Sequence, residues 1–227
     1  LLSEAERGLL LEEWNETTRD YPKEKCIHHL FEEQVERTPE AVAAVYEDAW
    51  LSYGELNRRA NQLAHHLRGL GVGPEARVGI CVERSLEMVI GLLGILKAGG
   101  AYLPLDPAYP AERLQLMLDD SDVPVLIAQR QIADRLPEVS RPRVYLDSDW
   151  EAIAQYPDAA PPDVTLSANL AHIIYTSGST GRPKAVAAIH SWVVNRLEAE
   201  REISGVSGQE VCCQKTSIGF VDAVAET

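Results

Sequence analysis

Strand-length apolar runs alternate with segments of helical periodicity along most of the chain. The strand runs are rich in Val, Ile, Leu and Ala, whereas the helical segments repeat apolar residues at three- and four-residue spacing. Strands are predicted at 41–46, 77–82, 101–103, 123–128, 143–146 and 170–175, and helices at 3–15, 27–37, 53–68, 86–96 and 111–119. Apolar strands separated by helices predict an α/β fold with a largely parallel sheet flanked by helices on both faces.

Local signals predict where several of these helices begin. Ser3 with Glu6 and Ser52 with Glu55 have the Ser-x-x-Glu spacing of a capping box. In that motif each of the two side chains accepts a backbone N–H from the other residue. Pro110 precedes the helix at 111–119, where its fixed φ favours a first turn. The 51–56 segment therefore has a structural role as a helix start, independent of any chemistry.

The stretch at 175–184, Tyr-Thr-Ser-Gly-Ser-Thr-Gly-Arg-Pro-Lys, overlaps the end of the last predicted strand. Its glycines let backbone N–H groups approach an anion without a Cβ, its hydroxyl groups add donors, and Lys184 adds a positive charge. It is not a Walker A loop, because Arg182 and Pro183 separate Gly181 from the lysine. A plain flexible loop is the competing interpretation. A position at the carboxyl end of a strand favours phosphate binding.

This stretch resembles the phosphate-loop signature of the adenylate-forming enzymes, which include acyl-CoA ligases, luciferases and the adenylation domains of nonribosomal peptide synthetases. Residues 51–56, Leu-Ser-Tyr-Gly-Glu-Leu, are similar to the first core motif of the peptide synthetase domains. Residues 96–107, Leu-Lys-Ala-Gly-Gly-Ala-Tyr-Leu-Pro-Leu-Asp-Pro, resemble their second. Val-Val-Asn-Arg at 193–196 is also typical of them. The chain therefore resembles the N-terminal portion of such a domain and is expected to have that part of its fold.

The resemblance also suggests a division of the chain. The opening Leu-Leu-Ser-Glu-Ala-Glu, followed by Trp14 and Asn15, looks like the linker to an upstream condensation domain. Residues 1–20 are therefore predicted to be this linker and residues 21–227 an incomplete N-terminal part of the adenylation core. Later family motifs, including the ribose-binding aspartate and the C-terminal lysine, do not occur. We therefore assign no catalytic residue and expect the 227 residues alone not to adenylate.

The reaction implied by the resemblance joins a carboxylate to the α-phosphate of ATP and expels pyrophosphate. Positioning and electrostatic stabilisation dominate such chemistry. The triphosphate implies Mg²⁺, and the acyl adenylate would be captured by a phosphopantetheine thiol on a separate carrier domain. The resemblance implies the following phosphate-binding residues: Thr176, Ser177, Gly178, Ser179, Thr180, Gly181 and Lys184.

Two positions near the loop are open to more than one interpretation. His190 matches the histidine that follows the phosphate loop in the family, so it is either an active-site residue or a structural residue at a helix start. Ala185 replaces a glycine that is usual in the family, which restricts the backbone there.

Residues 214–226 resemble the fourth core motif, which contributes to the substrate pocket. In domains for α-amino acids, an aspartate that pairs with the α-ammonium usually follows the phenylalanine. Here Val221 follows Phe220, and the aspartate comes one residue later as Asp222. A buried ammonium needs a counter-charge, so the pattern predicts either a β-amino acid, with Ala225 leaving room beside Asp222, or an aryl, keto or hydroxy acid that has no amine to pair.

Two alternatives to a peptide synthetase adenylation domain remain. One is an acyl- or aryl-CoA ligase, against which the linker-like start and the second motif argue. The other is a non-catalytic docking fragment that binds a condensation domain or an MbtH-like helper.

Composition bounds the partners and the compartment. The chain has 21 Lys and Arg against 35 Asp and Glu, a net charge of −14, which disfavours nucleic acid and anionic membranes as partners. The four cysteines, Cys26, Cys81, Cys212 and Cys213, form no C-x-x-C pair and are predicted to be reduced, in a cytoplasmic protein. The adjacent pairs His28–His29 and His65–His66 would diverge on a helix, so no metal site is predicted.

Overall fold

The computed structural model of the chain describes residues 2–176, 183–205, 210–220 and 223–226, with only the backbone of Ala225. The helices are α1 (Glu4–Leu11), α2 (Ile27–Arg37), α3 (Tyr53–Gly69), α4 (Leu86–Ala98), α5 (Ala111–Ser121), α6 (Trp150–Ile153), α7 (His190–Ser204) and α8 (Ala223–Glu226). The strands are β1 (Val42–Tyr46), β2 (Ala49–Ser52), β3 (Arg77–Cys81), β4 (Ala101–Pro104), β5 (Val125–Ala128), β6 (Arg143–Tyr145), β7 (Leu170–Thr176) and β8 (Lys184–Ile189). Short 3-10 helices cover Glu13–Asn15 and Arg130–Arg135.

Six strands form one sheet in the order β6-β5-β3-β4-β7-β8. All neighbours are parallel except β7 and β8, which are antiparallel. The predicted α/β class with a largely parallel sheet is therefore confirmed. The chain moves from β3 to β4 on one side and then to β5 on the other, so the strand order reverses at β3. A separate antiparallel hairpin is formed by β1 and β2.

Helices cover both faces of this sheet, because alternate strand residues point to opposite sides. Val78 and Ile80 of β3 pack in a cluster that includes buried residues of α3 and α4. Cys81 of the same strand packs in a second cluster with Leu114 and Leu118 of α5. The central strands are buried on both faces for this reason, which explains their continuous apolar sequences.

The capping predictions are confirmed in one case and half confirmed in the other. Ser3 and Glu6 form the complete box at α1, with a distance of 2.7 Å from the Ser3 backbone nitrogen to the Glu6 carboxylate. At α3, Ser52 accepts the N–H of Glu55 as predicted. The Glu55 carboxylate, however, accepts from Arg58 and Arg59 one turn further on. The Glu55 carboxylate therefore pairs with nearby guanidinium groups instead of with the backbone N–H of Ser52, which the capping box predicted.

Several elements were not predicted from the sequence. The strands β2 and β8 were missed: each pairs along one edge only, and β8 is largely exposed although residues 185–189 are apolar. The short helix α6 was not among the predicted helices. Helix α1 is shorter than the predicted 3–15 and gives way to a 3-10 turn.

The structure also shows the state of the cysteines and the character of the described helices. All four cysteines are free thiols, and Cys81 is fully buried. Among the described residues no helix has both the length and the apolar character needed to cross a bilayer.

Close contact between α4 and its neighbours depends on two glycines. A Cβ on Gly94 would lie 2.6 Å from Cδ2 of the fully buried Leu63 in α3. A Cβ on Gly91 would lie 2.7 Å from Cδ1 of Ile80 in β3. Both distances are shorter than van der Waals contact, so α4 approaches α3 and the sheet more closely than an alanine would permit.

The first prediction concerns this contact. We expect Gly94→Ala to lower the free energy of unfolding by about 1–3 kcal/mol, because the new methyl group overpacks a filled core. Urea denaturation monitored by circular dichroism measures the effect. The control is Gly8→Ala in α1, where nothing lies within 4 Å of the added Cβ. An unchanged or increased stability for Gly94→Ala would contradict the interpretation.

Candidate functional site

The base of the predicted phosphate loop is formed by the last residue of β7 and the first of β8. Thr176 and Lys184 face each other as the terminal pair of the antiparallel ladder. The Thr176 hydroxyl donates to the Lys184 carbonyl over 3.3 Å. Both residues are exposed, and no ion pair within the described part of the chain engages the Lys184 amine. Ser177, Gly178, Ser179, Thr180 and Gly181 lie outside the described residues.

The loop therefore connects two antiparallel strands rather than a strand and a helix. A Walker A loop opens a helix, whose N-terminus contributes to phosphate binding. Here the chain returns along β8 and only then enters α7. This connection agrees with the sequence, in which Arg182 and Pro183 separate Gly181 from Lys184, unlike in a Walker A loop.

The loop base lies at the edge of the sheet where the parallel strands end. In open α/β sheets, ligands bind outside the carboxyl ends of the strands, near the point where the strand order reverses. A cleft of about 390 Å³ lies at the ends of β3 and β4, and neither Thr176 nor Lys184 lines it. It is lined by Tyr46, Val82, Glu83, Arg84, Met88, Asp106, Pro107, Ala108, Arg135, Gln214, Thr216, Ser217 and Ile218.

The cleft brings the predicted second and fourth motifs together. The Ser217 hydroxyl donates to Oδ2 of Asp106 over 2.7 Å. Arg84, shortly after β3, donates to the side chain of Gln214 and to the carbonyl of Lys215. The sequence reasoning did not identify Arg84, because its role depends on a segment 130 residues away. These contacts fix the start of the fourth motif against the sheet edge.

The remainder of the fourth motif is described in part. The Glu226 carboxylate accepts from the backbone N–H groups of Lys215 and Thr216 and from the Thr216 hydroxyl. The hydrogen bonds from Thr216, first of all from its backbone, hold the pKa of the Glu226 carboxyl below its usual value. Phe220 is 58% exposed. Val221 and Asp222 lie outside the described residues, and Ala225 lies within α8.

His190 lies far from the loop base. It is the first residue of α7, whereas Lys184 is the first residue of β8. The length of β8, about 20 Å, therefore separates the two residues. Its side chain is fully buried, and its Nδ1 accepts the backbone N–H of Ile27 over 3.2 Å. Burial first, and then the neighbouring His29, lower the pKa of His190 to about 4. The geometry favours the structural interpretation of His190, with the additional role of capping α2.

The histidines at the start of α2 converge rather than diverge. The rings of His28 and His29 have centroids 4.4 Å apart, and ligand atoms of both lie within 4.8 Å of one another and of the Cys26 sulfur. The argument that adjacent helical histidines point too far apart does not hold at this position. Both ring nitrogens of His29 have partners, however, which are the N–H of Cys26 and the carboxylate of Asp163.

The Cys26 thiol is the group in this cluster that opposes a metal ion. Burial first, with Asp163 nearby, raises the pKa of the Cys26 thiol to about 12, so the thiolate that would bind a metal is disfavoured. Burial lowers the pKa of His28 to about 2, which keeps its ring in the neutral form that a metal binds, so it is the thiol that opposes an ion. Nδ1 of His29 and Nδ1 of His190 instead accept backbone N–H groups at the N-terminus of α2, which explains why these histidines lie together.

Comparison with known proteins places this geometry in context. The family model described as AMP-binding enzyme matches residues 31–226. One component of the linear gramicidin synthase of Brevibacillus parabrevis is 47% identical over 225 residues, which are 96% of this chain and 4% of that protein. Bacitracin synthase 3 of Bacillus licheniformis is 43% identical over 229 residues, 100% of this chain and 4% of that protein. The chain thus spans less than a tenth of these relatives.

Solved structures show the same similarity. The AMPPNP-bound form of the nonribosomal peptide synthetase FmoA3 has a TM-score of 0.89 and 30% identity, over 98% of this chain and 23% of that one. The N-terminal subdomain of Klebsiella oxytoca NpsA has a TM-score of 0.78 and 25% identity, over 90% of this chain and 52% of that one. The resemblance predicted from the motifs, including the N-terminal part of the adenylate-forming fold, is confirmed.

The second prediction follows from the buried His190 ring. Its ordinary pKa is 6.5 and its folded value about 4, so below about pH 6.5 the unfolded chain binds a proton that the folded chain does not. Stability should fall as the pH drops through this window. Between about pH 7 and about pH 5, we expect His190 to account for a loss of about 2 kcal/mol.

The test compares the wild type with His190→Gln, whose side-chain oxygen can still accept the N–H of Ile27. Urea denaturation at both pH values should show a smaller loss of stability in the variant. An equal loss in the two proteins would show that His190 does not titrate on unfolding.

Proposed function

Because the chain belongs to the AMP-binding enzyme family, we propose that it forms the ATP-binding part of a peptide synthetase adenylation domain. In this proposal the domain activates an amino acid as its aminoacyl adenylate and loads it onto a carrier protein as a thioester. The observation that supports it most is the pairing of Thr176 and Lys184 beneath a Gly- and hydroxyl-rich loop at the carboxyl edge of the sheet.

The chemistry of the loop base suits a triphosphate. The Lys184 amine is exposed and offers three N–H donors and a full positive charge. The chain as a whole carries a net charge of −14, so a local cation is needed to hold ATP against the surrounding field. The hydroxyls of Ser177, Ser179 and Thr180 remain predicted donors, and Mg²⁺ would neutralise further phosphate charge.

The proposed reaction has two steps. A carboxylate oxygen of the substrate attacks the α-phosphorus of ATP, the bond to the β-phosphate oxygen breaks, and pyrophosphate leaves. The thiol of a phosphopantetheine arm on a carrier domain then loses its proton to solvent and its sulfur attacks the acyl carbon. The bond from that carbon to the phosphate oxygen breaks, and AMP leaves. In this scheme Lys184 acts in the first step. It binds phosphate oxygens and so holds the α-phosphorus in position for in-line attack.

We also propose the partners that the sequence suggested. Helix α1 has no buried residue, and Leu11 at its end and Trp14 beyond it are exposed, so this segment offers apolar side chains to a neighbouring domain. A condensation domain is the proposed neighbour. An MbtH-like helper remains a further proposed partner.

The third prediction tests phosphate binding. We expect Lys184→Gln to reduce ATP–pyrophosphate exchange at least about tenfold, mainly through a higher KM for ATP, because a charge-assisted contact to phosphate is lost. We propose that residues 1–227 alone are inactive, so the assay uses the adenylation domain that contains them.

The matched control is Arg182→Gln, which removes the same charge two residues earlier, at a position outside the proposed phosphate-binding residues. Exchange that survives Lys184→Gln but is lost in Arg182→Gln would contradict the assignment. Absence of exchange in the wild-type domain with every acid tested would contradict the proposed function itself.

The fourth prediction concerns the acid. We propose that Asp222 pairs with a β-ammonium group, since it stands one residue beyond the usual aspartate position and a buried ammonium requires a counter-charge. Exchange with β-alanine should exceed exchange with α-alanine, and Asp222→Asn should reduce the β-alanine activity at least about tenfold. Preference for α-amino acids, or for acids without an amine, would contradict this pairing.

A further inference from the structure

The carboxyl end of β7 extends past its parallel neighbour. Tyr102 of β4 is in register with His172 of β7, and β4 ends at Pro104. Continuing this register, β4 ends opposite residue 174, so Tyr175 lies beyond it. On the other side, β8 pairs with β7 up to Thr176. The last residues of β7 therefore pair with β8 on one side only. On the side of β4 they have no strand partner, and other contacts hold them.

The side chain of Tyr175 provides such a contact. It is buried in the same apolar cluster as Leu114, Met117 and Leu118 of α5. Its hydroxyl donates to Oδ2 of Asp120 over 2.5 Å and lies 3.4 Å from the Met117 carbonyl. Burial first, and then the hydrogen bond to Asp120, raise the pKa of Tyr175, so the phenol stays protonated as a donor.

The position of Asp120 on α5 is unfavourable for the helix itself. It lies in the last turn, where the helix dipole disfavours an anion, and that turn has no basic residue. Asp119 beside it bonds along the helix to Gln115 instead. The two carboxylates thus differ in role: Asp119 makes a local contact on the surface, whereas Asp120 reaches across to β7.

We propose that the Asp120–Tyr175 hydrogen bond is a positioning contact that sets where Thr176 and Lys184 stand for the phosphates of MgATP. The proposal rests on the proposed function. Tyr175 is adjacent to Thr176 and pairs with Ala185, which is adjacent to Lys184. A displacement of the Tyr175 ring therefore moves both residues of the loop base together. Neither Asp120 nor Tyr175 needs to touch the nucleotide for this effect.

The test uses the adenylation domain that contains the chain, with MgATP as the probe. Tyr175→Phe keeps the ring and removes only the hydroxyl. We expect it to raise the KM for ATP about three- to tenfold with a smaller change in kcat, because one charge-assisted hydrogen bond is lost. Asp120→Asn retains a side-chain oxygen that can accept from the phenol, so this conservative variant should stay close to the wild type.

Asp120→Ala separates positioning from simple electrostatics. Removal of a carboxylate near a triphosphate should tighten ATP binding if charge alone matters. Loss of the positioning contact should weaken binding instead, about three- to tenfold. The matched control is Asp119→Ala, which removes the same charge from the adjacent residue of the same helix and should not raise the KM. Tighter ATP binding in Asp120→Ala, or an equal rise in both variants, overturns the proposal.

Hydrogen–deuterium exchange distinguishes failure of this proposal from failure of the proposed function. In the 227-residue chain without nucleotide, Tyr175→Phe should speed amide exchange in peptides from the carboxyl end of β7 and from β8. Unchanged exchange there overturns the positioning contact. Faster exchange in the variant, together with a wild-type domain that binds no MgATP, supports the contact and contradicts the proposed nucleotide chemistry.

Discussion

The close approach of α4 to both α3 and the sheet is the constraint on which the rest of the fold depends. Gly94 lets α4 meet Leu63 of α3, and Gly91 lets it meet Ile80 of β3. The contact buries the largest apolar cluster among the described residues. It also fixes the neighbouring polar links, such as the ion pair between the buried Lys97 of α4 and Glu32 of α2. Without it, the helices on this face would have no fixed distance from the strands they cover.

A sheet held in this way places distant segments at one edge. Parallel strands have their carboxyl ends on the same side, so the residues after β3 and β4 lie on the same side as the end of β7. Asp106 after β4 holds Ser217 of the fourth motif, and Arg84 after β3 holds Gln214. The order and direction of the strands therefore bring the residues of the site together, and the side chains at the strand ends supply its chemistry.

Several polar rings in this protein stabilise the ends of elements. His190 accepts the N–H of Ile27 and His29 accepts that of Cys26, so two rings satisfy amides at the start of α2 that have no helical partner. Tyr175 has the corresponding role at the end of β7 through Asp120. Such groups cannot be recognised from residue type, because histidine and tyrosine are equally familiar as catalytic residues.

The sequence by itself determined the fold class, most helix starts and the chemical character of the loop at 175–184. These follow from local physics: apolar periodicity, the Ser3 cap, and the combination of glycine, hydroxyl and lysine in one short stretch. Only the tertiary structure decided that β8 returns antiparallel to β7, that His190 lies far from Lys184, and that Arg84 and Asp120 contact segments distant from them along the chain. The contacts of Arg84 with Gln214 and of Asp120 with Tyr175 join residues 130 and 55 positions apart, and no local pattern encodes such contacts. The direction of β8 and its length, which sets the distance to His190, depend on the pairing of β8 with β7.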